Sequence, residues 1–82
     1  METNKLRNIL REIIIEILEL EAEELKDDLD FFDVYNADSV SFLELITAIE
    51  KRLKFHYVPH QVSSISCVDE LVEVTKEYVE FD

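Results

Sequence analysis

Apolar residues recur along the start of the chain at helical spacing. Leu6, Ile9, Leu10, Ile13, Ile17 and Leu20 share a face, while Arg7, Arg11, Glu12, Glu16 and Glu19 fill the others. The pattern predicts a helix from about Asn4 to Leu20, with Asn4 as its cap. Ile13-Ile14-Ile15 alone reads as strand, but the surrounding period and length favour helix. A second stripe, Phe42, Leu45, Ile46, Ile49 and Leu53, predicts a helix from Ser39 to about Lys54. Asp38 suits its first turn and the positive end of its dipole, and Lys51, Arg52 and Lys54 suit the negative end. Phe55 to Pro59 reads as a connection, because the residue before a proline disfavours helix. His60 to Ile65 holds a short third helix. Ser66-Cys67-Val68-Asp69 resembles a capping box with Asp in the Glu place, and opens a last helix with Val68, Leu71, Val72, Thr75, Tyr78 and Val79 facing inward. No alternating strand pattern competes. The predicted fold is all-α: a small antiparallel bundle of three main helices plus a short additional helix.

Between the first two helices the pattern breaks down. Residues 21–38 carry eight acids (Glu21, Glu23, Glu24, Asp27, Asp28, Asp30, Asp33, Asp38) against one base, Lys26. A segment this long in a small domain is functional or packs on itself. Leu25, Leu29, Phe31, Phe32 and Val34 are the residues that can pin it to the core, so we expect an ordered loop containing a helical turn or two.

Size and charge narrow the function. The 82 residues are read as one domain, 1–82, with a single core and little space for a deep catalytic cleft. Net charge is −12, from 20 acids and 8 bases. That field repels nucleic acid and anionic lipid and favours fast, salt-sensitive encounters with basic protein surfaces. No stretch has the ~18 apolar residues of a membrane span, and the start lacks the apolar run of a secretory signal. The lone Cys67 excludes an internal disulfide. Cytoplasmic location and a monomeric state are the expectations.

Candidate chemistry is sparse. Asp27, Asp28 and Asp30 lack the spacing and closing Glu of a calcium loop. His56 and His60 are separated by Pro59, Cys67 has no paired cysteine, and no metal site is expected. No nucleophile–base constellation stands out, so a catalytic role is not expected. Phe31, Phe32, Phe42, Phe55, Tyr57, Tyr78 and Phe81 read as core and edge aromatics, some of which can line a channel between helices.

One segment is specific. Asn36-Ala37-Asp38-Ser39-Val40 places a serine at the start of an amphipathic helix, where unpaired N–H groups and the dipole favour an attached anion. The tripeptide Asp38-Ser39-Val40 resembles the L-G-x-D-S-[LV] attachment motif of acyl carrier proteins. The resemblance extends to the length, the acidity, the long first loop and the Val58-Pro59 step after the second helix. Asn36 stands where that family has glycine, a mild departure because Asn tolerates the left-handed backbone. Tyr35 stands where leucine is usual. The resemblance implies that Ser39 carries a covalent 4′-phosphopantetheine arm, flanked by an orienting Asp38, and that the protein itself is non-catalytic. It implies partner contacts at Val40, Leu43, Glu44, Thr47 and Glu50. The implied partners are a phosphopantetheinyl transferase, an acyltransferase or adenylating ligase, and condensing enzymes. Lys51 and Arg52 occupy positions often acidic in fatty-acid carriers, so that Ser39–Lys54 has two acids and three bases, a net of +1. This points to a polyketide, hybrid or other specialised pathway. An aminoacyl or peptidyl carrier, including the D-alanyl type, and an unmodified helical adaptor are the alternatives.

Overall fold

The computed structural model describes residues 2–79. Four helices follow in order: α1 (Thr3–Leu18), α2 (Ser39–Leu53), the short α3 (Pro59–Val62) and α4 (Val68–Lys76), with a 3₁₀ turn at Ala22–Glu24. α1 packs against both α2 and α4. The all-α bundle expected from the sequence is the observed fold. Phe81, read as an aromatic of the core or its edge, lies outside the described residues.

α1 begins one residue before the expected cap. Asn4 is inside the helix, and the N-cap position falls to Glu2, whose side chain makes no capping bond. Leu6 is fully buried, and its N–H donates to Glu2 O at 2.9 Å. Starting at Thr3 pairs the Leu6 N–H with a backbone carbonyl, whereas a helix capped at Asn4 leaves that N–H without an intrahelical partner. The helix ends before Leu20: Glu19 turns left-handed (φ 54°) and its N–H returns to Ile15 O. The buried face is Leu6, Leu10, Ile13 and Ile14, with Ile9, Ile17 and Leu20 flanking it.

α2 runs nearly as predicted. Leu45, Ile46 and Ile49 are buried, and Phe42 and Leu53 are half-buried at the ends of the stripe. α3 is one turn, set by Pro59 at its first position, where the missing N–H costs nothing. α4 starts one residue later than the expected box. Cys67 is its N-cap position without a side-chain bond, and Glu70, three residues on, reaches back to accept from Ser66 N and Ser66 Oγ at 2.8 and 2.6 Å. Asp69 is taken by Arg7, so the side chain that reaches back is that of Glu70, and no reciprocal box forms at Cys67. Val68, Leu71, Val72 and Thr75 are buried, whereas Tyr78 and Val79 are half-buried beyond the last turn.

The end of the bundle remote from Ser39 is closed by aromatics. Phe55 stacks on Tyr78 at 4.9 Å and meets the edge of Tyr57 at 4.7 Å. Tyr57 shares a hydrogen bond of 2.6 Å with Thr75 Oγ1 inside the core, and burial pushes its phenol up to about 12. The Tyr78 hydroxyl accepts from Val58 N at 2.9 Å and donates to Gln61, which ties α3 to the end of α4.

Candidate functional site

The long acidic segment is an ordered strap that sets the start of α2. Leu25 and Phe31 are buried, while Leu29, Phe32 and Val34 stay on the surface, so two of the five candidate anchors carry the packing. Phe31 N donates to Ser66 O at 2.7 Å, fastening the strap to the turn before α4. Phe31 O then accepts from Tyr35 N and Ala37 N at 3.2 and 3.0 Å. Tyr35 spans the strap: its hydroxyl donates to Glu24 O and accepts from Lys26 N, both at 2.7 Å. Asn36 takes the left-handed conformation (φ 58°) that reverses the chain ahead of the helix. With no glycine anywhere in the sequence, asparagine serves in its place.

Charge pairing holds the other end of the strap. Asp27 accepts from Arg7 at 2.7 Å and also pairs with Arg11, and Arg7 reaches Asp69 on α4 at 2.6 Å. The bond to Asp69 holds the Arg7 pKa above its ordinary value, against the opposing effect of burial and with Asp27 adding to it. The backbone repeats the tie, with Asp69 N donating to Asp27 O at 3.0 Å. Asp27 is thereby a structural ion-pair partner. Among the described residues no group of three or more His, Cys, Asp and Glu side chains is placed to hold a metal ion.

The strap delivers Asp38 in an extended conformation as the N-cap of α2. Its carboxylate accepts from Ser41 N at 2.8 Å, and Ser41 Oγ accepts from Asp38 N at 2.9 Å, a reciprocal box that uses Ser where Glu is usual. The Ser41 amide, then its side chain, hold the Asp38 carboxyl below the usual aspartate range. The two serines at this helix start therefore differ. Ser41 Oγ is engaged on both sides, since it also donates to Asp38 O at 3.2 Å. Ser39, in the first helical turn, is exposed, and among the described residues its hydroxyl has no hydrogen-bond partner. Such a hydroxyl can accept a phosphodiester: it is open to an enzyme, and the first turn leaves amide N–H groups for a phosphate oxygen.

Two surfaces adjoin Ser39. An apolar cleft of about 370 Å³ runs from it between Phe42, Ile46, Val62 and Ile65, with Phe32 at its side. On the outward face of α2, Val40 and Leu43 are 66% and 65% exposed, more than any other large apolar side chain among the described residues. Glu44 and Thr47 continue the same face and are also exposed. Glu50 is different: it is half-buried, accepts from Tyr57 N at 2.8 Å, and lies 3.7 Å from the His56 ring. His56 and His60 are exposed, and Cys67 is half-buried with its thiol pushed up by burial, which disfavours the thiolate.

Three features of the site escaped the sequence reading: the Tyr35 clamp, the Arg7–Asp27–Asp69 tie and the reciprocal Ser41 half of the Asp38 cap. The last had a signal in D-x-x-S, with Ser at a position where Glu or Gln is the usual cue.

Residues 8–74 match the family described as phosphopantetheine attachment site. The acyl carrier protein of Clostridium perfringens is 31% identical over 71 residues, covering 87% of this chain and 93% of that protein. The acyl carrier protein of Clostridium acetobutylicum is 30% identical over 71 residues, covering 87% and 92%. Polyketide-8 synthase acyl carrier protein 2 of Streptomyces avermitilis is 29% identical over 65 residues, covering 79% and 75%.

Proposed function

The chain belongs to the acyl carrier protein family, built on a phosphopantetheine attachment site, and from that premise we propose that Ser39 is its attachment residue. The whole chain, 1–82, then acts as one carrier domain. The observation that carries this reading is the contrast between the two serines: Ser41 Oγ is locked in the cap, whereas Ser39 Oγ is exposed and unpartnered among the described residues.

The cofactor is 4′-phosphopantetheine, which when attached supplies a thiol that holds acyl groups as thioesters. The chain's own residues prepare its place. Asp38 fixes the first turn of α2, so Ser39 is presented in one orientation to the modifying enzyme. A phosphodiester on Ser39 would lie at the positive end of the helix dipole, while the Asp38 carboxylate occupies the Ser41 amide of the first turn. The apolar cleft beside Ser39 offers a dry surface for part of a bound acyl chain. Val40 and Leu43, with Glu44 and Thr47 beside them, form the contact face for a phosphopantetheinyl transferase, for an acyltransferase or adenylating ligase, and for condensing enzymes. Contacts of that size give weak, exchangeable binding, as a carrier that serves several enzymes in turn requires. The basic far end of α2 favours a specialised pathway, of polyketide or related type, over general fatty-acid synthesis.

The test is intact mass after incubation with coenzyme A and a broad-specificity phosphopantetheinyl transferase, followed by peptide mapping. Wild-type protein gains one phosphopantetheine on Ser39, Ser41→Ala still gains it, and Ser39→Ala folds and gains none. A gain on Ser39→Ala, or none on folded wild type, overturns the assignment.

A further inference from the structure

The outward face of α2 changes character along its length. Val40 and Leu43 stand exposed beside Ser39. More than two turns further on, Lys51, Arg52 and the C-cap residue Lys54 are all exposed, and among the described residues none of them forms an ion pair. The two arginines on α1 are spent on Asp27 of the strap and Asp69 of α4, and Lys76 pairs with Glu73 on α4. The free cations of this face are thus grouped at one end of one helix. Shallow grooves join the two ends: Leu43, Thr47 and Lys51 line one beside Ile17 of α1, and Lys51 and Arg52 line the next beside Ile13.

The nearby acids reduce the charge of this patch but do not pair with it. Glu50 is turned to the Tyr57 amide, and Glu16 and Glu44 line the grooves without closing an ion pair to Lys51 or Arg52. The rest of the molecule is strongly acidic, with a net charge of −12. A long polyanion reaching past the patch meets that field and is repelled, whereas a compact group of carboxylates meets chiefly the three exposed cations, with Glu16 and Glu44 weakening the attraction, because charges are screened beyond about 8 Å at physiological salt. The patch therefore selects a localised acidic cluster on a protein.

We propose that the outward face of α2 is a two-part docking strip, apolar beside Ser39 and basic at its far end. It fits an enzyme whose arm-receiving mouth has an apolar rim and which carries a cluster of Asp and Glu side chains about 16 Å away. That spacing is the rise of the eleven residues separating the middle of the apolar pair from the middle of the basic group, at about 1.5 Å per residue. An acidic cluster at that distance sets the register of the enzyme along the helix, and an enzyme with a basic pad there is rejected. Where the mouth sits rests on Ser39 bearing the arm; the charge preference of the strip does not.

The experiment therefore uses full-length Ser39→Ala protein, which cannot be loaded, and two synthetic helical peptides. Both have an apolar pair at one end; one carries four Glu three turns later and the other four Lys. Backbone amide shifts are followed during titration. The Glu peptide shifts residues 40–54, and its affinity falls about tenfold in K51E/R52E/K54E and in 0.5 M NaCl. The Lys peptide prefers the reversed variant. Because acids are unfavourable at a helix C-terminus, K51Q/R52Q/K54Q is carried alongside and shows an intermediate loss. A Glu peptide that leaves α2 unshifted, or that binds the reversed and wild-type proteins alike, overturns the proposal. With Ser39 intact and loaded, a condensing enzyme that accepts acyl groups from the wild-type chain loses about tenfold in kcat/KM on K51E/R52E/K54E, and an unchanged or raised value overturns the proposal. Failure of Ser39 loading appears separately, in the intact-mass experiment.

Discussion

Asp38 links local structure to the site through one carboxylate. It caps α2 by accepting from Ser41 N, and that bond holds its pKa below the ordinary value of 3.8. A depressed carboxyl contributes stability that is present above the unfolded value and lost as pH falls through the folded one. Asp38→Ala accordingly lowers Tm at pH 7, and the difference from wild type shrinks as pH falls below about 3.8, read by thermal melts across a pH series. Asp38→Asn keeps an acceptor for Ser41 N and melts closer to wild type. An Ala variant whose deficit is the same at pH 7 and pH 2 excludes the carboxylate as the cause. The cap was legible in the sequence because N-cap chemistry needs only residues within one turn. Its partner Ser41 was less so, because Ser at that position is an unusual member of the box. Asn36 shows the same locality: its left-handed turn follows from the residue type, since Asn tolerates positive φ better than most.

At the scale of elements, legibility follows sequence separation. The stripes of α1, α2 and α4 repeat within a few residues, so period alone recovers their existence and most of their buried faces. The strap between α1 and α2 is ordered by contacts no local pattern encodes: Arg7 meets Asp27 across 20 positions and Asp69 across 62. Residue type announces such an acid as solvated, and only the fold makes it a hub. Asp27→Ala removes two ion pairs at side chains about 30% exposed or less and leaves Arg7 with Asp69 alone. We expect a loss of about 1–2 kcal/mol in denaturant unfolding, below the full value of a charged hydrogen bond because water screens the site. Hydrogen exchange should quicken first at residues 25–37, where the strap is held, and less in the middle of α1. Equal loss of protection throughout would mean that the strap and helices open as one unit.

For the whole molecule the charges oppose one another at different ranges. The described structure spans 34 × 26 × 19 Å, while the Debye length is about 30 Å at 0.01 M salt and about 8 Å at 0.15 M. At the lower salt every charge therefore feels nearly every other, and a net of −12 pushes the chain apart. The stabilising pairs, Arg7 and Arg11 with Asp27 and Asp69, act at contact distance and partly away from water, where added salt weakens them less. Raising NaCl from 0.01 to 0.15 M should consequently raise Tm, because screening removes long-range repulsion faster than it removes short-range attraction. In Asp27→Ala, with one acid fewer and two pairs missing, Tm should rise with salt at least as steeply relative to its own starting point. If Tm of the wild-type protein falls over that range, the ion-pair hub outweighs the repulsion of the other acids, and the acidity of the chain bears little on the stability of its fold.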